Sequence, residues 1–230
     1  PMKVEQSIDE VNRLSTAGCE LVRLAVPDMA AAKAIKDIKE RAMIPLIADI
    51  HFDYRLALQA IDSGIDGLRI NPGNIGSIDN VVKVVEKAKP KLIPIRIGVN
   101  AGSLPQHVLD AYGGHPTADG MVETALEHIR ILESLEYDQM KVSIKATDVP
   151  LMIEAYRKLS SKIPYPLHLG VTEAGTIKQG TIKSAIGIGT LLADGIGDTI
   201  RVSLTGDPIH EVEVAKTILS SLELRTFGAT

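Results

Sequence analysis

Seven apolar runs, each followed by a stretch whose apolar residues recur at three- and four-residue spacing, constrain this chain more than any other feature. Strands are read at 20 to 26, 45 to 50, 67 to 71, 93 to 99, 140 to 146, 166 to 172 and 198 to 204. The helical patterns that follow them cover 28 to 41, 54 to 63, 78 to 88, 119 to 136, 149 to 162, 180 to 194 and 208 to 222. One more helix opens the chain, where Val4, Ile8, Val11 and Leu14 precede a stop at Gly18. Such alternation, with strands rich in Ile, Leu and Val, dictates an all-parallel sheet covered by helices. Of the two solutions, an open doubly wound sheet and a closed barrel, the α/β pattern favours a TIM-type (β/α)8 barrel that is one strand short. Because the chain opens on a helix, its first strand is expected upstream of residue 1. The barrel domain is expected over residues 1–222, and 223–230, ELRTFGAT, reads as the start of a linker to a further domain.

Composition narrows the rest. At 230 residues the chain can bury a large core, and with aromatics at 3% and no Trp that core must be aliphatic. A net charge of −4 argues against a general nucleic-acid surface, so any anion site must be local. The single cysteine, Cys19, excludes an internal disulfide and any site built from several thiolates; alone it cannot ligate an iron–sulfur cluster, which takes about four ligands. No run approaches the roughly 18 apolar residues of a membrane span and no signal pattern opens the chain, so a soluble, cytoplasmic protein without a membrane partner is expected.

Four strands each spend a buried position on a guanidinium: LVRLAVPD, GLRINPGNIG, PIRIGVNAG and TIRVSLTGD. Neighbours on a strand alternate faces, so where Leu68 and Ile70 meet the helices, Arg69 and Asn71 point inward. The same rule turns Arg23 inward, then Arg96, Gly98 and Asn100, then Ser143 and Lys145 of KVSIKATD, and finally Arg201 and Ser203. Inward acids are fewer: Asp49 with Asp53 in ADIHFD, and Glu173 in GVTEAG. Even with all three ionised, about two positive charges are left without a counter-charge in a confined space, at a cost of several kcal/mol. A polyanion would balance them; guanidinium forks suit phosphate oxygens, and Asn71, Asn100, Ser143 and Ser203 can add hydrogen bonds. Individual arginines can instead tie strands together by pairing with acids, but the repetition of the pattern favours an anion site.

Other features carry less. Asp49, His51 and Asp53 share a face at spacing two, which suits an acid–base cluster or a polar hydrogen-bonding row better than a metal pair, since no third strong ligand is in sight. No metal site is expected within the chain. His168 is read as inward, and Glu173 at the strand mouth as a proton donor or a partner for an arginine. Gly-Ile-Gly within GTIKSAIGIGTLLADGIGD lies inside a helix, the wrong context for a dinucleotide fingerprint. EAGTIKQGTIKS resembles a phosphate-gripping loop at a helix start, while its Lys178 and Lys183 are equally well explained as solvated. Residues 101 to 117 form the longest irregular connection, either a lid or a surface loop. His107, His115, His128 and His210 are read as surface or loop residues, and Cys19 as a packing residue.

The strings VRLAVPD, PLIADIHFDYRLAL, RINPGNIG, PIRIGVNAGSL, HLGVTEAGT and GTIKSAIGIGTLLADGIGDTIRVSLTGDP together resemble the amino-terminal barrel of the 4-hydroxy-3-methylbut-2-enyl diphosphate synthases, from about Val11 to Leu222. The resemblance implies an iron–sulfur oxidoreductase of non-mevalonate isoprenoid biosynthesis. It would reductively open 2-C-methyl-D-erythritol 2,4-cyclodiphosphate to 4-hydroxy-3-methylbut-2-enyl diphosphate with loss of water. Two electrons would come from ferredoxin or flavodoxin through a [4Fe–4S] cluster held by three cysteines and a glutamate of a second domain, in a homodimer. Carried onto this sequence, Arg23, Arg69, Arg96, Lys145 and Arg201 would hold the diphosphate with Asn100 and Ser203 assisting, and Asp49, His51 and Glu173 would orient the ring. The family's Cys-Pro-x-Cys-Gly stretch is absent, so this chain alone is expected to be inactive. Two rivals are a barrel that binds a pterin diphosphate, disfavoured by the scarcity of aromatics, and a diphosphate-binding module without catalysis.

Overall fold

The computed structural model of the chain describes residues 4–172 and 175–227. They form two compact units, Pro1–Ile97 with His128–Lys141, and Gly98–Glu127 with Val142–Thr230.

In the first unit, α1 (Val4–Ala17) precedes a regular alternation: β1 (Val22–Ala25), α2 (Met29–Arg41), β2 (Leu46–Asp49), α3 (Tyr54–Asp62), β3 (Gly67–Ile70), α4 (Ile78–Ala88) and the start of β4 (Ile95–Asn100). The strands are parallel and neighbours in space as in sequence: Ala25 lies beside Asp49, Asp49 beside Arg69 and Arg69 beside Arg96. Leu68, Ile70, Ile95 and Ile97, the residues between the arginines, are fully shielded from solvent. The apolar side of each strand is thus the helix-covered side. Ala31, Ala32, Ile35 and Ile38 of α2, with Val81, Val84 and Val85 of α4, supply the covering layer. The unit also takes in the later part of α6 (Ala118–Ser134) and the start of β5 (Met140–Lys145).

The second unit continues from β5 through α7 (Val149–Ser160), β6 (His168–Leu169), α8 (Ile177–Ala193), β7 (Thr199–Ile200) and α9 (Pro208–Ser221). Val142 bridges Leu167 in parallel, and β6 pairs with β7 by setting His168 beside Thr199. Tyr156 of α7 is buried and ties the layers together: its hydroxyl donates to the His168 carbonyl at 2.5 Å and accepts from the Ile144 amide at 3.1 Å.

Aspartates that follow strands start the next helices. Asp28 accepts from the Ala31 amide, Asp53 from Arg55, Asp148 from Leu151 and Asp207 from Ile209. Each satisfies an amide that the first helical turn leaves open. The segment 101–117, expected to be irregular, holds a 3-10 turn at Ala101–Ser103 and a short helix α5 (Gln106–Ala111) that buries Val108. The two late strands are shorter than the sequence pattern suggests. Among the described residues no helix is long and apolar enough to cross a membrane.

Candidate functional site

In the first unit, strand register brings the predicted cations together. Asp49, Arg69 and Arg96 stand side by side on β2, β3 and β4 and are each nearly inaccessible, at 5% to 6% exposure. Arg23 reaches across from β1, its Nη1 2.8 Å from Asp49 Oδ2, while Arg69 Nη1 lies 3.3 Å from Oδ1. One carboxylate is therefore shared by two guanidinium groups. Burial pulls the Arg69 guanidinium below its ordinary pKa; Asp49 counters that pull and Arg23 adds to it. Asn71, also buried, follows β3, and its carbonyl accepts from the Asn74 amide to close the Asn-Pro-Gly-Asn turn.

His51 sits above this cluster and is more open than its predicted inward position implies, with 57% of its side chain exposed. Its Nδ1 lies 3.4 Å from Arg69 Nη1, and its Nε2 lies 3.4 Å from Asp49 Oδ2. A guanidinium can only donate, so the contact with Arg69 makes Nδ1 the acceptor and leaves the Nε2–H to face the carboxylate. The ring is thereby oriented by the same two residues that anchor the row. Asp53 does not belong to this cluster: β2 ends at Asp49, so the alternation no longer applies, and Asp53 caps α3 while its carboxylate pairs with Arg55 at 2.8 Å. The Arg55 side chain holds that carboxyl below its usual range, against the opposing effect of desolvation.

A buried histidine also supports the turn. His128, read from the sequence as a surface residue, is 6% exposed on α6 and packs against Gly73. A Cβ at Gly73 would stand 2.7 Å from His128 Nε2, so only glycine lets the turn approach the ring.

In the second unit, Ser143 and Lys145 of β5 are buried, Asn100 and Ser203 half-buried, and Arg201 half-buried just after β7. Gly170 makes room for the lysine: a Cβ there would lie 3.0 Å from Lys145 Nζ and 2.8 Å from the Arg201 carbonyl. His168 is buried as expected, its Nδ1 2.7 Å from Thr199 Oγ1. Glu173 lies outside the described residues. Around the strand ends runs a cleft of about 700 Å³ lined by Asn100, Ser103, His115, Thr147, Asp148 and Thr172, among others. Of these only Asn100 was expected in the site from the sequence; Ser103 and His115 fall in the segment 101–117, read as a lid or a surface loop. For Thr147, Asp148 and Thr172 the signal was position alone, since they follow strand ends where βα loops build sites. Thr176 caps α8 through the Gln179 amide, and Lys178 is exposed.

The family and curated-relative comparisons agree on one lineage. Residues 1–216 match the family described as the GcpE TIM-barrel domain. A 4-hydroxy-3-methylbut-2-en-1-yl diphosphate synthase (flavodoxin) of Geobacter sulfurreducens is 62% identical over 96% of this chain, and one of Fusobacterium nucleatum is 59% identical over 98%. The chain spans 63% of the length of each. Among solved structures it is similar to the dihydropteroate synthase of Yersinia pestis, with a TM-score of 0.68 at 12% identity, covering 96% of this chain and 88% of that one. A truncated 3-deoxy-D-arabino-heptulosonate 7-phosphate synthase of Thermotoga maritima gives 0.61 at 11%, covering 96% and 81%. At such identities these two likenesses speak to the fold alone.

Proposed function

The chain belongs to the GcpE TIM-barrel domain family, and from that premise we propose that it is the substrate-binding barrel of a 4-hydroxy-3-methylbut-2-en-1-yl diphosphate synthase. The reaction is the two-electron reductive opening of 2-C-methyl-D-erythritol 2,4-cyclodiphosphate to the linear diphosphate, with loss of water. One observation carries this reading beyond kinship: the guanidinium groups of Arg23, Arg69 and Arg96 gather along neighbouring strands, the last two buried, and Arg23 and Arg69 share the Asp49 carboxylate. A ligand with two or more negative charges balances such a row, and a diphosphate does so with oxygens that match the guanidinium fork.

On this reading Arg23, Arg69, Arg96, Lys145 and Arg201 grip the diphosphate, with Asn71, Asn100, Ser143 and Ser203 donating further hydrogen bonds. Asp49 and His51 orient the ring end, and Glu173 joins them there. Residues 1–222 are the barrel and 223–230 begin a linker. Flavodoxin supplies the electrons, as the names of the two relatives suggest, or ferredoxin does, and the enzyme works as a cytoplasmic homodimer. A [4Fe–4S] cluster carries those electrons. The residues of this chain do not fit it: Cys19 is the single cysteine, its Sγ donates to the Leu21 carbonyl at 3.3 Å, and among the described residues no group of three or more His, Cys, Asp or Glu could hold a metal ion. Cluster ligation is therefore assigned to the part of the relatives that this chain does not span.

Calorimetric titration of the chain with the cyclodiphosphate at low and high salt tests the reading. Salt-sensitive binding that disappears in Arg201→Leu, with the melting curve unchanged, is the expected result. Equal affinity in the variant removes Arg201 from the site, and no binding by a folded wild-type chain overturns the proposal.

A further inference from the structure

The cationic row does not end at Arg96. Val22 N–H donates to the Pro45 carbonyl where Val22 lies beside Leu46, and Leu68 N–H donates to the Pro94 carbonyl where Leu68 lies beside Ile95. Ile95 N–H donates to the Gln139 carbonyl at 2.9 Å, and the same parallel pattern sets Met140 beside Ile95 and Lys141 beside Arg96. Lys141 also shares a strand face with Ser143 and Lys145, two and four residues on. Four adjacent strands thus present Asp49, Arg69, Arg96 and Lys141 at one level, an acid at one end and cations along the rest.

Lys141 differs from Lys39 and Lys87 of the same unit. Lys39 pairs with Asp66 and Lys87 with Asp62, whereas among the described residues no ion pair forms at Lys141 Nζ. It is half-buried, and burial followed by the neighbouring Arg96 charge pulls its ammonium below the ordinary lysine pKa. Two cations held side by side in a partly dehydrated place raise the energy of the empty site. An anion placed between them lowers it, because the attraction to both replaces the repulsion. The Asp49 end of the row, where the carboxylate offsets part of the charge of Arg23 and Arg69, attracts the same anion less strongly than the Arg96 and Lys141 end does.

We propose that Lys141 is a further substrate-positioning residue: with Arg96 it forms the cationic pole of the row and fixes which end of the ligand carries its phosphates. This deepens the proposed function and, for the identity of the ligand, rests on it. The row thereby acquires a polarity: the diphosphate, still contacted by Arg23 and Arg69, is drawn most strongly toward β4 and β5, and the neutral hydroxyl end is left to Asp49 and His51. It also trades stability for binding, because the repulsion that an anion relieves is carried by the empty protein.

The test compares wild type, Lys141→Met, Lys141→Gln and Lys141→Arg of this chain, each with a melting curve and with titrations of inorganic pyrophosphate and of the cyclodiphosphate at low and high salt. The expected result has two opposite signs. The Met and Gln variants melt at higher temperature without ligand and bind both anions about tenfold more weakly at low salt. The difference shrinks at high salt, where charge is screened, and Lys141→Arg restores the affinity. Wild-type affinity in the Met and Gln variants overturns the inference. So does a loss that is equal at both salts and not restored by arginine, or a wild-type chain that binds neither anion. Lys141-dependent binding of pyrophosphate without binding of the cyclodiphosphate leaves the inference standing and removes the proposed substrate.

Discussion

Arg69 and Asp49 stand beside each other on neighbouring parallel strands, and their side chains meet at 3.3 Å in a place where each is nearly inaccessible to water. Neither the strand register nor the contact leaves the carboxylate free, since Arg23 holds its other oxygen at 2.8 Å. Removing one member of a buried ion pair leaves the other charge without compensation, which costs about 3 kcal/mol or more. Asp49→Asn is therefore expected to lower Tm by several degrees. Added pyrophosphate should recover part of that loss, because it supplies the missing negative charge. Melting curves with and without the anion check both halves, and a variant as stable as wild type contradicts the argument.

The contact between Gly73 and His128 gives a second expectation. With a Cβ only 2.7 Å from Nε2, Gly73→Ala must push the ring or the turn aside, at about 1–3 kcal/mol for overpacking. The turn follows Asn71, so the displacement should also weaken anion binding. His128→Ala opens space in the same place, and the double variant should be less destabilised than the sum of the two single ones. A double-mutant cycle by urea denaturation reads the coupling; strict additivity would mean that the ring and the turn do not press on each other.

The βα alternation was legible because apolar periodicity changes from two to about 3.6 at every boundary, and the helix read at 78 to 88 has those bounds in the structure. The arginines were legible for a related reason: a charge in the middle of an apolar strand has only one face left to occupy. What escaped needs information that local pattern does not hold. His128 lies between Glu127 and Ile129 on an amphipathic helix, and only the absence of a side chain at Gly73, far away in sequence, makes a place for it. Asp53 was misplaced because alternation was continued past the end of β2 into a loop, where a capping role takes over. The helix at Gln106–Ala111 was hidden by its punctuation, with Pro105 before it and Gly113 and Gly114 after it. Lys141 was passed over because it is the second residue of its strand, and only the hydrogen-bond register sets it beside Arg96.

Tyr137 supplies a pH dependence. Its hydroxyl donates to the Ile93 carbonyl, and burial, with Asp138 adding to it, pushes the phenol up to about 12. In the unfolded chain the same phenol ionises near its ordinary value of about 10. The group is thus raised on folding: its contribution is fully present below pH 10 and is lost as pH rises through 12. Tyr137→Phe should be less stable than wild type at pH 8, by about 1 kcal/mol for the lost hydrogen bond. The gap should narrow above pH 10, since phenylalanine has no proton to lose. Urea midpoints measured for both proteins across this range decide the matter, because the lysines, common to both, cancel in the difference. A gap that stays constant to the alkaline limit would show that the hydroxyl is not held in its neutral form by the fold.

Gly170 separates packing from charge in the second unit. A Cβ there meets the Arg201 carbonyl at 2.8 Å, which is backbone and cannot swing away, and Lys145 Nζ at 3.0 Å, which can. Gly170→Ala should therefore displace the chain after β7 together with the lysine, destabilising the fold by about 1–3 kcal/mol and weakening anion binding. Lys145→Met frees the space near Gly170 without moving the Arg201 carbonyl. If the clash with the lysine dominated, Gly170→Ala would cost little in the Lys145→Met background; if the backbone contact dominates, the cost remains. The backbone contact is the shorter one and the lysine tip is flexible, so most of the destabilisation is expected to persist in the double variant, read as the urea midpoint of each protein.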